Sequence, residues 1–134
     1  MDAAWKKQYE TGNPRIDFEH RVFLDLVSQF GAEAESDALP DRLRRTATEI
    51  FKYADFHFYS EETLMLDVGY PDFDHHHQIH ISLLNELRQY IESIIVDSAR
   101  AIDMSQFLFQ WFVGHTVAED TKLARYVAAA SSST

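Results

Sequence analysis

The sequence predicts an all-α protein, an antiparallel up-down-up-down four-helix bundle with an N-terminal arm. Glycine and proline are scarce, with four glycines and three prolines among 134 residues, and they fall between long periodic stretches. Within those stretches apolar residues recur at spacings of three and four, which is the period of an amphipathic helix. No stretch shows the alternation of a half-buried strand. Four such helices bury their apolar faces most simply by packing together as a bundle.

The length of the chain suits a single domain with a core of its own, and we expect it to have three parts. Residues 1–16 form the arm, residues 17–127 form the bundle, and residues 128–134 form a tail or linker rich in alanine and serine. Trp5 and Tyr9 are expected to hold the arm against the bundle.

The first predicted helix follows a turn at residues 12–14, Gly-Asn-Pro, and is capped by Asp17. We expect it to end near Gly31. His20 belongs to its apolar face and should point inward, together with three residues at helical spacing: Phe23, Val27 and Phe30.

Three further helices are predicted. Pro40 suits a first helical turn, the break at residues 69–71 separates the second helix from the third, and Asp103 with Gln106 forms a capping box for the fourth. Polar residues occupy inward positions on all three. The predicted inward faces carry Leu43, Ala47, Ile50, Ala54, His57, Glu61 and Leu64; then Phe73, His76, His80, Leu83, Leu87, Ile91 and Ile94; then Leu108, Trp111 and His115.

Charge and composition exclude several classes of protein. The formal net charge of −10 opposes binding to nucleic acid or to an anionic membrane surface, because both require a basic face. No apolar run approaches the roughly 20 residues that span a bilayer, and the first ten residues lack the apolar core of a signal peptide. We therefore expect a cytoplasmic protein without membrane insertion. It has no cysteine and so no disulfide.

The histidines indicate a metal centre. A single buried histidine is usually a structural residue with satisfied hydrogen bonds. Here His57 with Glu61, and His76 with His80, are i, i+4 pairs that each direct two side chains to one point. Without lysine or arginine on these faces, so many buried imidazoles with a carboxylate require a central cation. The other two helices contribute one histidine each, His20 and His115.

More ligands are present than one tetrahedral zinc ion could use, so two metal ions are expected. Imidazole and carboxylate ligands without thiolate suit iron, zinc, copper or manganese. Two cations need bridging carboxylates, for which Glu61 is one candidate and an acidic residue of the fourth helix the other. Helical geometry favours Glu119, four residues after His115, whereas Asp120 is rotated by roughly 140° from that histidine.

The order of these motifs resembles the hemerythrins and their bacterial relatives, the bacteriohemerythrins. The resemblance extends from Trp5 to about Tyr126, and all seven metal ligands of the family have counterparts. The motifs that carry it are His20, the run H-F-x-x-E-E-x-L-M from His57 to Met65, Gly69-Tyr70-Pro71, the pair His76 and His80, Trp111, and the pair His115 and Asp120.

The resemblance implies two iron ions with an oxo or hydroxo bridge derived from solvent. Asp120, and not Glu119, becomes the second bridging carboxylate beside Glu61. The implied terminal ligands are His76, His80 and His115 for one iron and His20 and His57 for the other.

The implied activity is reversible binding of dioxygen at the open position of the iron with two histidines, without enzymatic turnover. An apolar wall should protect that position from water. Its candidate residues are Phe23, Phe58, Leu64, Trp111 and Phe112.

Two other functions remain open. The chain could be the oxygen- or redox-sensing input domain of a larger bacterial signalling protein, with an output domain or partner protein. It could also be a di-iron oxidase or peroxidase, although no glutamate precedes a histidine by three residues as in ferritin-like enzymes. Three residues beside the ligands are expected to face solvent: Glu62, His75 and His77.

Overall fold

The computed structural model describes residues 4–132, and it confirms the all-α four-helix bundle. A short 3₁₀ helix at Lys7–Tyr9 precedes the bundle. The first three helices are α1 (Pro14–Glu35), α2 (Pro40–Val68) and α3 (Phe73–Val96). The fourth consists of α4 (Arg100–Trp111), a π turn (Phe112–Thr116) and α5 (Val117–Ser132).

Short connections join the helices, and each helix packs against its neighbours in sequence. α2 lies between α1 and α3, while α4 closes the bundle by packing against α1 and α3. Gly69 ends α2 in the left-handed conformation, with φ of 65°, which glycine adopts without strain. No helix within residues 4–132 is long and apolar enough to cross a membrane.

The cap of the first helix lies four residues earlier than the sequence predicts. Asn13 caps α1, because its side chain accepts hydrogen bonds from the backbone N–H groups of Arg15 and Ile16. Asp17 instead lies in the first turn, where its carboxylate accepts from the backbone N–H and the hydroxyl of Thr11. The predicted cap therefore fastens the arm to the helix.

Both ends of the fourth helix also differ from the prediction. It begins at Arg100, and Asp103 is not its cap but pairs with Arg100 across 2.8 Å. At the other end, α5 continues through the predicted tail to Ser132. The predicted arm agrees better: Tyr9 is buried and meets the ring of Phe112 edge-to-face at 5.4 Å.

The π turn decides which residues of the fourth helix face inward. A π turn accommodates one extra residue, so every later side chain is rotated relative to an uninterrupted α-helix. Beyond the turn, Thr116 and Asp120 are buried, whereas His115 is exposed and Glu119 is only partly buried. The inward orientation predicted for His115 is therefore wrong in this structure, and so is the helical-wheel preference for Glu119 over Asp120.

The core consists of two apolar clusters. The larger one is formed by all four helices and includes Phe30, Ile50, Leu87 and Leu108. The smaller one lies at the opposite end and is formed by Ile16, Met65, Tyr70, Leu123 and Ala124. Along every helix, the predicted metal ligands fall between a residue of one cluster and a residue of the other. A polar layer thus crosses the bundle between two apolar regions.

Deletion of Gly114 should convert the π turn into regular α-helix and keep Asp120 inward. Gly114 is exposed and an added Cβ there would meet no atom within 4 Å, so the deletion removes no packing. We expect a melting temperature equal to or above that of the parent protein, measured by circular dichroism.

The matched control inserts one alanine after Gly114. The insertion rotates Asp120 and Leu123 by about 100° out of the core. It should lower the melting temperature by at least about 5 °C. Equal melting temperatures for the two variants would contradict the role assigned to the π turn.

Candidate metal centre

Each of the four helices of the bundle contributes to one buried polar cluster. α2 and α3 each supply a pair of residues four positions apart, which places both side chains on the same face. α1 and α5 each supply one residue, and every member of the cluster is at most 3% exposed. The members are His20, His57, Glu61, His76, His80 and Asp120.

The six side chains form two sets that share both carboxylates. The first set is His20, His57, Glu61 and Asp120, and the second is Glu61, His76, His80 and Asp120. Within each set, one ligand atom per residue lies within 4.8 Å of all the others. Ligand atoms on opposite sides of a metal ion stand about 4 Å apart. Each set therefore has the size of a metal site.

Asp120 turns its two oxygen atoms to different sets. Its Oδ2 lies 2.7 Å from Nε2 of His20, and its Oδ1 lies 3.0 Å from Nε2 of His76. Oδ2 also lies 3.9 Å from Nε2 of His57. This division is the one expected of a carboxylate that bridges two cations.

Glu61 shows the same division and lacks partners of its own. Oε1 lies 3.1 Å from Nε2 of His80 and 3.4 Å from Nε2 of His76, while Oε2 lies 3.6 Å from Nε2 of His57. None of these approaches is a hydrogen bond, so both oxygens of Glu61 and Nε2 of His57 have no hydrogen-bond partner among residues 4–132. A buried carboxylate without partners is costly, and a cation between these atoms removes the cost. The residues fit a metal centre.

The electrostatics of the cluster without metal also favour a bound cation. Burial disfavours the charged form of His57, but neighbouring carboxylates, Glu61 first among them, outweigh burial and raise the pKa of His57 to about 10. Burial is likewise outweighed at His76, mainly by Asp120, and the pKa of His76 also rises to about 10. Burial opposes ionisation of Asp120, yet hydrogen bonds from histidines, His20 first, hold the pKa of Asp120 well below 3.8. The site attracts positive charge, from protons or from metal.

Glu19 orients one histidine of the cluster, His57. Its Oε1 lies 2.7 Å from Nδ1 of His57, and its Oε2 accepts a hydrogen bond from the hydroxyl of Ser60 at 3.1 Å. Arg15 approaches the same oxygen at 3.5 Å. A carboxylate on Nδ1 fixes the ring and leaves Nε2 directed at the cluster, as in many metal sites.

Glu62 does the same for His80, and this corrects the prediction that Glu62 and His77 are solvent-facing neighbours. Oε2 of Glu62 lies 2.8 Å from Nδ1 of His80, and Oε1 lies 2.6 Å from Nδ1 of His77. His77 in turn stacks on Phe73 with ring centroids 5.6 Å apart. Among the three residues expected to face solvent, only His75 is exposed.

His115 lies apart from the cluster. It is exposed in a groove beside α3, where His75 and Trp111 are among its neighbours. Its ring is 6.1 Å from that of Trp111. The physical reason is the π turn, which gives the inward position to Thr116. Six of the seven predicted ligands are thus brought together, and the seventh is not.

A small cavity of about 10 Å³ adjoins the first set. Such a volume holds roughly one water-sized molecule. Four of the five predicted wall residues line it, together with Thr116, which the sequence analysis missed. Leu64 does not, because it packs against the smaller apolar cluster on the other side of the polar layer. The full lining is His20, Phe23, His57, Phe58, Trp111, Phe112 and Thr116.

Sequence reasoning named the ligands more readily than their supports. In sequence, Glu19 stands next to His20 and Glu62 stands next to Glu61. Each nevertheless contacts a histidine on another helix, His57 and His80 respectively. An acidic residue adjoining a predicted ligand was the available signal. Its partner depends on helix packing.

Without metal, the protein should become less stable as the pH rises from 7 to 10. The pKa of His57 and of His76 is about 10 in the folded protein against 6.5 in an unfolded chain. Protons bound to these histidines therefore stabilise the fold fully below about pH 6.5, and this stabilisation is lost as the pH rises through 10. Metal-loaded protein should show the opposite trend, since metal binding requires neutral imidazole.

Urea unfolding of both forms at pH 7 and pH 10 measures this difference. The variant His57→Gln is the control, because it should lose part of the pH dependence of the metal-free protein. Stability of the metal-free protein that stays constant or increases over this range would contradict the coupling between these histidines and the carboxylates.

Comparison with known proteins agrees with this geometry. The family described as "Hemerythrin HHE cation binding domain" matches residues 11–127. A bacteriohemerythrin of Clostridium acetobutylicum is 28% identical over 123 residues, which cover 87% of this chain and 95% of the relative. One of Campylobacter jejuni is 25% identical over 90% of this chain and 92% of the relative. One of Pseudomonas aeruginosa is 25% identical over 87% of this chain and 76% of the relative.

The family match covers most of the chain and includes all six residues of the buried cluster. Imidazole and carboxylate donors without thiolate are suitable ligands for iron. The chain belongs to the hemerythrin family, and its buried histidine, glutamate and aspartate side chains form the metal centre of a non-haem iron-binding protein.

Proposed function

We propose that the protein binds two iron ions and reversibly binds dioxygen at one of them. The observation that carries this proposal is the small apolar cavity, which adjoins the set of His20 and His57 and not the set of His76 and His80. A pair of sites with a cavity on one side only favours one open coordination position. Dioxygen is small and apolar enough to enter such a cavity.

In this assignment His20 and His57 hold the iron with the open position, and His76 and His80 hold the other. Glu61 and Asp120 would bind both irons, and solvent would supply an oxo or hydroxo group between them. The division of both carboxylates between the two sets supports this arrangement. When bound, the iron pair supplies the electrons for reversible dioxygen chemistry, and the protein supplies the ligands and the enclosure.

The enclosure keeps water from the open position. Phe112 meets His20 edge-to-face at 5.2 Å, and Phe58 stacks on His80 with ring centroids 3.9 Å apart. Phe23 lies against Phe112 at 6.1 Å. Aromatic contact on this scale excludes solvent, which would otherwise promote irreversible oxidation of the iron.

Glu19 and Glu62 support the proposed iron centre by contacting two of its histidines. Each accepts the Nδ1 proton of one ligand histidine, His57 or His80, and thereby keeps Nε2 free for metal. Each pair links one iron position to a carboxylate nearer the surface. These contacts make both histidines stronger donors to iron.

An iron count paired with optical spectra tests the function. The protein is reduced without air, loaded with ferrous iron and then exposed briefly to oxygen. We expect two irons per chain and a visible charge-transfer band that vanishes when oxygen is removed. Immediate conversion to a stable oxidised centre would instead favour the redox-sensing or oxidase and peroxidase alternatives. Fewer than two irons per chain would contradict the proposal.

Asp120→Ala should disrupt the centre far more than Glu119→Ala. Asp120 is 2% exposed and faces both sets, whereas Glu119 is only partly buried and belongs to neither. We expect Asp120→Ala to retain less than one iron per chain after anaerobic reconstitution, and Glu119→Ala to retain nearly two. The reverse ranking would show that the wheel argument identified the bridging residue.

His80→Ala should lower iron retention more than His115→Ala. His80 is buried in the second set and held by Glu62, while His115 lies exposed outside both sets. The resemblance nevertheless makes His115 the third histidine of that iron, so this pair of variants tests the assignment. Iron per chain and the optical spectrum are measured for each. An equal loss would show that His115 turns inward when metal binds.

A further inference from the structure

The cavity beside the first set is lined by one hydroxyl group, that of Thr116. Thr116 is 5% exposed, and its Oγ1 has no hydrogen-bond partner within the described part of the chain. Buried hydroxyl groups are nearly always paired, because an unpaired one loses its hydrogen bonds to water without replacement. This orphaned hydroxyl therefore requires an explanation.

A threonine inside a helix normally satisfies its hydroxyl by donating to the carbonyl four residues earlier. For Thr116 that carbonyl belongs to Phe112, and it accepts the backbone N–H of Val117 across the π turn. Thr116 makes no such bond in the described structure. The hydroxyl of Thr116 is therefore available to a molecule in the cavity.

The other polar side chains at the cavity are two histidines of the metal cluster, His20 and His57. Nε2 of His20 faces Asp120 and Nδ1 of His57 faces Glu19, while the second ring nitrogen of each has no hydrogen-bond partner among residues 4–132. The remaining lining is aromatic. A small molecule in the cavity therefore finds apolar walls, the metal position and the hydroxyl of Thr116.

We propose that Thr116 Oγ1 donates a hydrogen bond to the small ligand held beside His20 and His57 and so slows its release. This inference rests on the proposed function, since it concerns the ligand of the same open position. It adds a selectivity: a ligand whose atoms accept hydrogen bonds is retained better than one that fills the cavity by apolar contact alone. The azide anion belongs to the first kind. Dioxygen would belong to it as well when the metal polarises it.

Thr116→Val tests the hydrogen bond, because valine keeps the branched shape and lacks the hydroxyl. On iron-loaded protein, stopped-flow measurement should show dioxygen leaving about threefold to tenfold faster than from the parent protein, which is the scale of one neutral hydrogen bond. Azide should bind the oxidised protein more weakly by a similar factor. Thr116→Ser, which retains the hydroxyl, should remain within about twofold of the parent in both measurements.

A second readout needs no iron. Metal-free Thr116→Val should melt at or above the temperature of the metal-free parent, because the substitution removes an unpaired buried hydroxyl. The control is Thr46→Val on α2, since Thr46 is about as buried, does not line the cavity, and lowers the pKa of the neighbouring Glu33 carboxyl. Thr46→Val should melt lower and leave dioxygen release unchanged.

Two results would overturn the inference. One is an unchanged azide affinity in iron-loaded Thr116→Val. The other is a lower melting temperature of that variant without metal, which would mean that the hydroxyl already has a partner. Failure of the proposed function is distinguishable, because it would show as a parent protein that loads iron but releases no dioxygen, while azide affinity and melting still decide the role of Thr116.

Discussion

A layer of imidazole and carboxylate side chains crosses the bundle between two apolar clusters, and the rest of the structure depends on balancing its charge. Glu61 and Asp120 lie at its centre with four histidines around them, all nearly inaccessible to solvent. In the metal-free protein the carboxylates raise the pKa of His57 and of His76 to about 10, so protons on these histidines balance the carboxylate charge. Metal ions would balance the same charge, so folding and metal binding draw on one set of groups.

The π turn of the fourth helix is the local feature that gives this layer its final shape. By accommodating one extra residue, it places Asp120 between the histidine sets and Thr116 at the cavity, and it leaves His115 in a surface groove. π turns are uncommon and concentrate at functional sites. Here one irregular turn determines the position of Asp120, of a hydroxyl group at the cavity and of the remaining histidine.

Around the layer, the protein provides different surroundings for its two histidine sets. The first set has the aromatic cavity on one side and Glu19 behind His57. The second has Glu62 behind His80, and Glu62 also contacts His77, which lies nearer the surface. This asymmetry arises from packing, because each set has two histidines and shares the same two carboxylates. It is the physical basis for assigning ligand binding to one side.

The sequence by itself determined the four helices, the inward faces of the first three and five of the six residues of the buried polar cluster. These features follow from local periodicity: i, i+4 spacing on α2 and α3 fixes which side chains share a face, whatever those helices pack against. Asp120 came from resemblance to the hemerythrin family, because a regular wheel favoured Glu119. Only the tertiary structure decided the π turn, the outward position of His115, the supporting contacts of Glu19 and Glu62, and the cavity with Thr116. Each of these depends on contacts between residues distant in sequence or on a departure from regular helix, and neither leaves a periodic signal.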